Sequence, residues 1–199
     1  MIDDAFRAWL ARHAAGPARA LQRAGVTPNQ VTIAATVMGV AAAGLVAAKM
    51  PLFGIFLWIG SRLLDGYDGL LARLGDRTTL FGGYLDITGD MLAYTAMAIG
   101  FAIAMPADAV RWMMVLLGYV LAITTTLALS SLAERADRQL GGNRSIQFTR
   151  AWAEGGETTL VYVVIALVPS ASRIVLGAWM VLLAVTAVQR TLLARRLLR

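Results

Sequence analysis

Long apolar stretches separated by short polar breaks run along most of the chain. At about 20 apolar residues per bilayer crossing, the pattern predicts spans near residues 30–49, 52–73, 80–105, 110–132, 152–169 and 173–193. The breaks contain Met50-Pro51, Gly75-Asp76, Met105-Pro106, Gly141-Gly142-Asn143 and Val168-Pro169, all turn formers or helix starters. Residues 2–22 follow a different pattern. Phe6, Trp9, Leu10 and His13 recur at helical spacing among Arg7, Arg12 and Arg19, as in an amphipathic helix lying in the headgroup layer. Gly16-Pro17 is expected to break or kink that helix. The expected fold is all-α: a polytopic membrane helix bundle of six transmembrane helices with an N-terminal amphipathic interfacial helix. Residues 1–29 would form the juxtamembrane segment and 30–199 the transmembrane domain.

Composition strengthens this reading. The chain is 58% apolar and 15% charged, whereas soluble domains are about half apolar and a quarter charged. There is no cysteine, so a thiolate site is excluded and any metal is expected to be held by oxygen. A formal charge of +6 does not point to nucleic acid, because the basic residues lie between apolar runs; lipid headgroups are the expected counter-charge. Asp3, Asp4 and the lack of a long apolar stretch before Gln30 argue against a cleaved signal peptide.

Arginine placement sets an expected orientation. With both termini on one side, that side receives Arg7, Arg12, Arg19, Arg23, Arg73, Arg77, Arg135, Arg138, Arg144, Arg150, Arg190, Arg195, Arg196 and Arg199, against Lys49, Arg111 and Arg173 on the other. The positive-inside rule puts the arginine-rich side in the cytoplasm. Trp9, Trp112 and Trp152 fall near expected interfaces, where tryptophan serves as an anchor.

Two carboxylate pairs flank a short cytosolic turn. Asp65 and Asp68 are three residues apart, and Asp86 and Asp90 four apart, so each pair shares a helix face. Four converging carboxylates in apolar surroundings need a cation among them. Oxygen-only ligation favours Mg²⁺ or Mn²⁺, with Ca²⁺ as an alternative occupant, over zinc. Single aspartates could instead cap helices or pair with Arg62, Arg73 or Arg77. Gly66, Gly69, Gly82 and Gly83 remove side chains where a pyrophosphate would approach the backbone. Arg73 can offer a planar fork to phosphate, and Thr79 can cap a helix or meet a phosphate.

The segment 65–90 fills every fixed position of D-x2-D-G-x2-A-R-x8-G-x3-D-x3-D: Asp65, Asp68, Gly69, Ala72, Arg73, Gly82, Asp86 and Asp90. It resembles the signature of the CDP-alcohol phosphotransferases, and Thr27-Pro28-Asn29 before the first span extends the resemblance. The resemblance implies that Asp65, Asp68, Asp86 and Asp90 hold a pair of divalent ions. It makes Asp90 the catalytic base toward an acceptor hydroxyl. Asp65, Asp68, Gly69, Arg73 and Thr79 would contact the CDP group, with Asn29 lining the site. The implied reaction moves a phospho-alcohol, with CDP-diacylglycerol the expected lipid donor, onto a small hydroxyl acceptor with release of CMP, in phospholipid biosynthesis. Family members commonly form homodimers.

Family members that use an inositol phosphate place extra basic residues near the cytosolic ends of the fourth and fifth spans; here Ala133 and Gly155 occupy two such positions, while Arg135, Arg150 and Arg190 remain. Glu154 and Glu157 could bind acceptor hydroxyls or an ammonium group, or pair with Arg150. Two other classes also use membrane-embedded carboxylates. An intramembrane prenyltransferase would carry its aspartate motifs on well-separated helix pairs, and a divalent-cation transporter would place them near the midplane.

Overall fold

A computed structural model describes residues 12–75, 78–135 and 155–198. The residues expected at the start of the interfacial helix, the turn residues Asp76 and Arg77, most of the loop 134–150, Trp152 and Glu154 lie outside them. The described residues are all helical, with no strand. Helices α1 (Ala15–Arg23), α2 (Pro28–Ala47), α3 (Pro51–Leu74) and α4 (Leu80–Ala104) are followed by α5 (Ala109–Arg135), α6 (Gly155–Leu167) and α7 (Ser172–Leu197). The chain divides into two compact units, Met1–Pro106 and Ala107–Arg199.

Local chemistry fixes the helix ends in the first unit. Thr27 and Gln30 form a capping box: the Gln30 N–H donates to Thr27 Oγ1 and the Thr27 N–H to Gln30 Oε1 at 2.9 Å. The first long helix therefore starts at Pro28, ahead of the expected residue 30. It stops at Ala47 because Lys49 takes a positive φ of 63° and Pro51 opens the next helix. Gly16 and Pro17 do not break α1; they lie in its first turn, where proline loses no intrahelical bond, and the bend is at Ala14.

Helix α2 packs along both α3 and α4. It can do so because its buried positions are small: Ala35, Gly39, Ala42 and Ala43. At Gly100 on α4 the neighbour is backbone, since a Cβ there would lie 2.5 Å from the Ala43 carbonyl oxygen. Backbone cannot swing aside, so Gly100→Ala is expected to cost about 1–3 kcal/mol. Gly60→Ala would meet only the terminal methyl of Met38 and is expected to stay within about 0.5 kcal/mol. Thermal unfolding in detergent of the two variants side by side checks the contrast. Ala14, just before α1, and Ala18 and Leu21 on it pack against Leu70 and Leu71 of α3, while Arg12, Arg19 and Arg23 are exposed.

In the second unit α7 packs along α5 and touches α6. A buried polar hub joins the three: Tyr119 and Tyr162 share a hydrogen bond at 3.0 Å, and Trp179 Nε1 donates to Tyr119 Oη at 3.3 Å. Trp112 is fully buried against Tyr162 rather than placed as an exposed interfacial anchor. Before α5, buried Asp108 accepts from Ser172 Oγ at 2.5 Å and Arg111 Nη1 at 2.7 Å, tying together the two turns that open α5 and α7.

Four helical stretches, 28–47, 80–104, 106–135 and 169–197, are long and apolar enough to cross a bilayer. Outward residues such as Phe56, Leu80 and Ile174 are large, apolar and highly exposed, as lipid rather than water would demand; the protein is an integral membrane protein. Two of the six expected spans do not meet that standard as described. Helix α3 has the length, 24 residues, but carries Arg62, Asp65, Asp68 and Arg73. The described part of α6 is 13 residues, roughly 20 Å.

Candidate active site

The acidic residues meet between α3 and α4. Both helices lean on α2 more than on each other, which leaves room between them for side chains. Asp65 and Asp68, one turn apart on α3, face Asp86 on α4, and one carboxylate oxygen from each lies within 4.8 Å of the other two. Asp68 is buried and accepts a hydrogen bond from Thr32 Oγ1 of α2 at 2.5 Å. A third helix thus fixes the orientation of that carboxylate.

Asp90, one turn beyond Asp86, is held differently. Its Oδ1 accepts from Arg62 Nη1, which is also 3.8 Å from Asp65 Oδ2. Arg62 Nη2 donates to Ser61 Oγ at 3.0 Å, and that hydroxyl donates to the Ala35 carbonyl at 2.8 Å. The guanidinium lies over the rings of Trp58 and Tyr94, 4.6 and 5.1 Å from their centroids, and those rings meet edge to face at 5.2 Å. A desolvated cation on an aromatic face gains about 2 kcal/mol, and a guanidinium with a carboxylate, a hydroxyl and two rings around it is tolerable at membrane depth.

The remaining residues singled out in the sequence lie around this cluster. Gly69 sits under the side chain of Arg73, whose Nη1 would be 3.3 Å from a Cβ there. Thr79 caps α4, its Oγ1 accepting from the Gly82 N–H at 2.9 Å, so its own hydroxyl proton is not spent on the cap. The Asn29 carboxamide oxygen would lie 3.3 Å from a Cβ on Gly82, which places it beside the same helix end. Thr32, Ser61, Trp58 and Tyr94 were not singled out. A threonine one turn inside an apolar helix and an arginine midway along another were the available signals, since each must find a partner in lipid.

The three close carboxylates are all hard oxygen donors. That donor set fits Mg²⁺ or Mn²⁺.

A family model described as CDP-alcohol phosphatidyltransferase matches residues 25–192. Inner membrane protein YnjF of Escherichia coli (strain K12) is 33% identical over 157 residues, which is 76% of this chain and 75% of that one. The crystal structure of phosphatidylinositol phosphate synthase from Mycobacterium tuberculosis with CDP-DAG bound superposes with a TM-score of 0.70 at 26% identity, over 92% of this chain and 94% of that one. Another structure of that enzyme, in complex with manganese and citrate, shares the fold with a TM-score of 0.72 at 24% identity, over 90% and 87% of the two chains. A match that spans both units and includes the aspartate-bearing helices shows that this chain belongs to the CDP-alcohol phosphatidyltransferase family, the metal-dependent membrane transferases of phospholipid biosynthesis.

Proposed function

We propose that this protein transfers the phosphatidyl group of CDP-diacylglycerol to a small hydroxyl-bearing acceptor and releases CMP. The observation that carries this reading is the convergence of Asp65, Asp68 and Asp86 within 4.8 Å, with Asp90 one turn further along the same helix. The four aspartates would hold a pair of divalent ions. When bound, these ions neutralise the pyrophosphate and stabilise the leaving phosphate. Asp90 takes the proton of the acceptor hydroxyl. The acceptor oxygen forms a bond to the phosphorus that carries the diacylglycerol, the phosphoanhydride bond breaks, and CMP leaves with the bonding electrons.

Asp65, Asp68, Gly69, Arg73 and Thr79 contact the CDP group. The bare Gly69 backbone beneath Arg73 and the uncommitted hydroxyl proton of Thr79 support that role, and Asn29 lines the same end. A groove lined by Pro17, Ala20, Leu21, Ala24, Leu64 and Tyr67 offers the donor's apolar part a surface to lie on. The relative from Mycobacterium tuberculosis has CDP-DAG bound, which favours this donor.

In this reading all six expected spans cross the cytoplasmic membrane. Helix α3 crosses with its polar half at the site, and α6 lies within the fifth expected span, 152–169. Both termini and the site face the cytoplasm, as the arginine distribution requires. Residues 1–29 form an interfacial segment, which the two-faced character of α1 supports, and 30–199 form the catalytic domain. A homodimer is the assembly the family implies.

For the acceptor, Ala133 is buried, Gly155 has no side chain, and Arg190 Nη1 is engaged at 2.6 Å by the Ala122 carbonyl. Basic residues are expected at positions 133 and 155 in relatives that use an inositol phosphate, which disfavours a phosphate-bearing acceptor although Arg135 and Arg150 remain. The test is CMP release by detergent-purified protein with Mg²⁺ or Mn²⁺ and CDP-diacylglycerol, screened against glycerol 3-phosphate, inositol, inositol phosphate, serine and choline. Metal-dependent release with one acceptor is expected. Silence of folded protein across the panel would overturn the choice of donor or acceptor class.

A further inference from the structure

The least expected contact at the site is the one between Arg62 and Asp90. Arg62 precedes the family signature and is not one of its positions. Its guanidinium is placed by groups other than the aspartate. Ser61, anchored to the Ala35 carbonyl of α2, holds Nη2, while the rings of Trp58 and Tyr94 fix the plane. Nη1 then projects to Oδ1 of Asp90 and stays 3.8 Å from Asp65, so the fork selects one carboxylate of the four. A carboxylate hanging from two single bonds otherwise samples several rotamers. Pinning one oxygen leaves the other, Oδ2, with a defined direction.

We propose that Arg62 is the positioning residue for Asp90: it clamps Oδ1 so that Oδ2 is the oxygen presented to the acceptor hydroxyl. The inference rests on the reading of Asp90 as the base. The proton passes from the acceptor to Oδ2, and Arg62 keeps its own protons throughout. Nη1 and Nη2 are both engaged within the protein, and the proposal assigns Arg62 no contact with the CDP group. Its loss therefore acts on turnover and not on donor affinity. Lysine in its place retains a cation within reach of Oδ1 but loses the fork. Methionine fills similar space over Trp58 and Tyr94 without any charge.

The experiment compares wild type, Arg62→Met, Arg62→Lys and Asp90→Asn by CMP release from CDP-diacylglycerol, with the acceptor that gives most CMP in the panel above. Melting temperature is recorded for each. Arg62→Met is expected to lower kcat by about 10- to 100-fold while KM for CDP-diacylglycerol stays within about threefold. Arg62→Lys is expected to recover part of the loss. A side chain that only packs would rank methionine at or above lysine, and that order overturns the proposal. So does wild-type kcat in Arg62→Met, or a raised KM with kcat kept. If Arg62→Met does not fold, Arg62→Lys decides: a lowered kcat at unchanged KM supports the proposal, and an unchanged kcat overturns it. Near-normal turnover in Asp90→Asn would remove the base reading itself, whereas an inactive Asp90→Asn beside a fully active Arg62→Met would remove Arg62 alone.

Discussion

Asp90→Asn is expected to lower CMP release by about 10²- to 10⁴-fold, the usual contribution of a general base. Asparagine keeps the shape of the side chain and an oxygen for Arg62 Nη1, so the contact between α3 and α4 survives. What it lacks is an oxygen able to accept a proton, and the negative charge of one of the four metal-holding carboxylates. Asp65, Asp68 and Asp86 converge without Asp90, so affinity for CDP-diacylglycerol should change little. Single-turnover CMP release set against equilibrium donor binding separates the two quantities. Near-normal turnover would take Asp90 out of the chemistry.

Chelation should have an effect of similar size. With EDTA, turnover is expected to fall to background and to return on adding Mg²⁺ or Mn²⁺. The melting temperature should move with it, because the cluster gathers carboxylates that repel one another until a cation joins them. A ligand that binds only the folded state at 100 times its Kd adds about 2.7 kcal/mol, or about 5–10 °C for a chain of this size. Asp68→Asn should lose most of that shift, since Asp68 is the buried member of the cluster. Full activity in EDTA would mean that the carboxylates serve some purpose other than holding metal.

Much of the site could be read from spacing alone. Carboxylates at i, i+3 and i, i+4 on two helices joined by a short turn had to share a face, and the structure brings three of them together. Membership of the CDP-alcohol phosphatidyltransferase family also decides against the prenyltransferase and transporter alternatives. The groups that orient the acids were harder to see. Thr32 and Arg62 lie 36 and 28 positions from the aspartates they hold, and no local period links residues so far apart. Trp112 was misjudged because hydropathy fixes depth along a helix but not which way the side chain faces; here it turns inward to Tyr162. Helix ends shifted where a cap or a positive φ outweighed hydropathy, as at Thr27 and Lys49.

Helix α2 bears no charged residue and contributes no metal ligand in the proposed mechanism, yet it sets the distance between the two helices that carry the acids. Its alanines and glycines act as a spacer of fixed thickness, and the gap available to a pyrophosphate is inherited from their volume. A methyl group added at Gly39, where it would lie 2.9 Å from the Ala93 Cβ of α4, would press on that gap. Selection on the chemistry therefore extends to residues whose contribution is their small size, and loss of activity there would track added volume rather than altered charge.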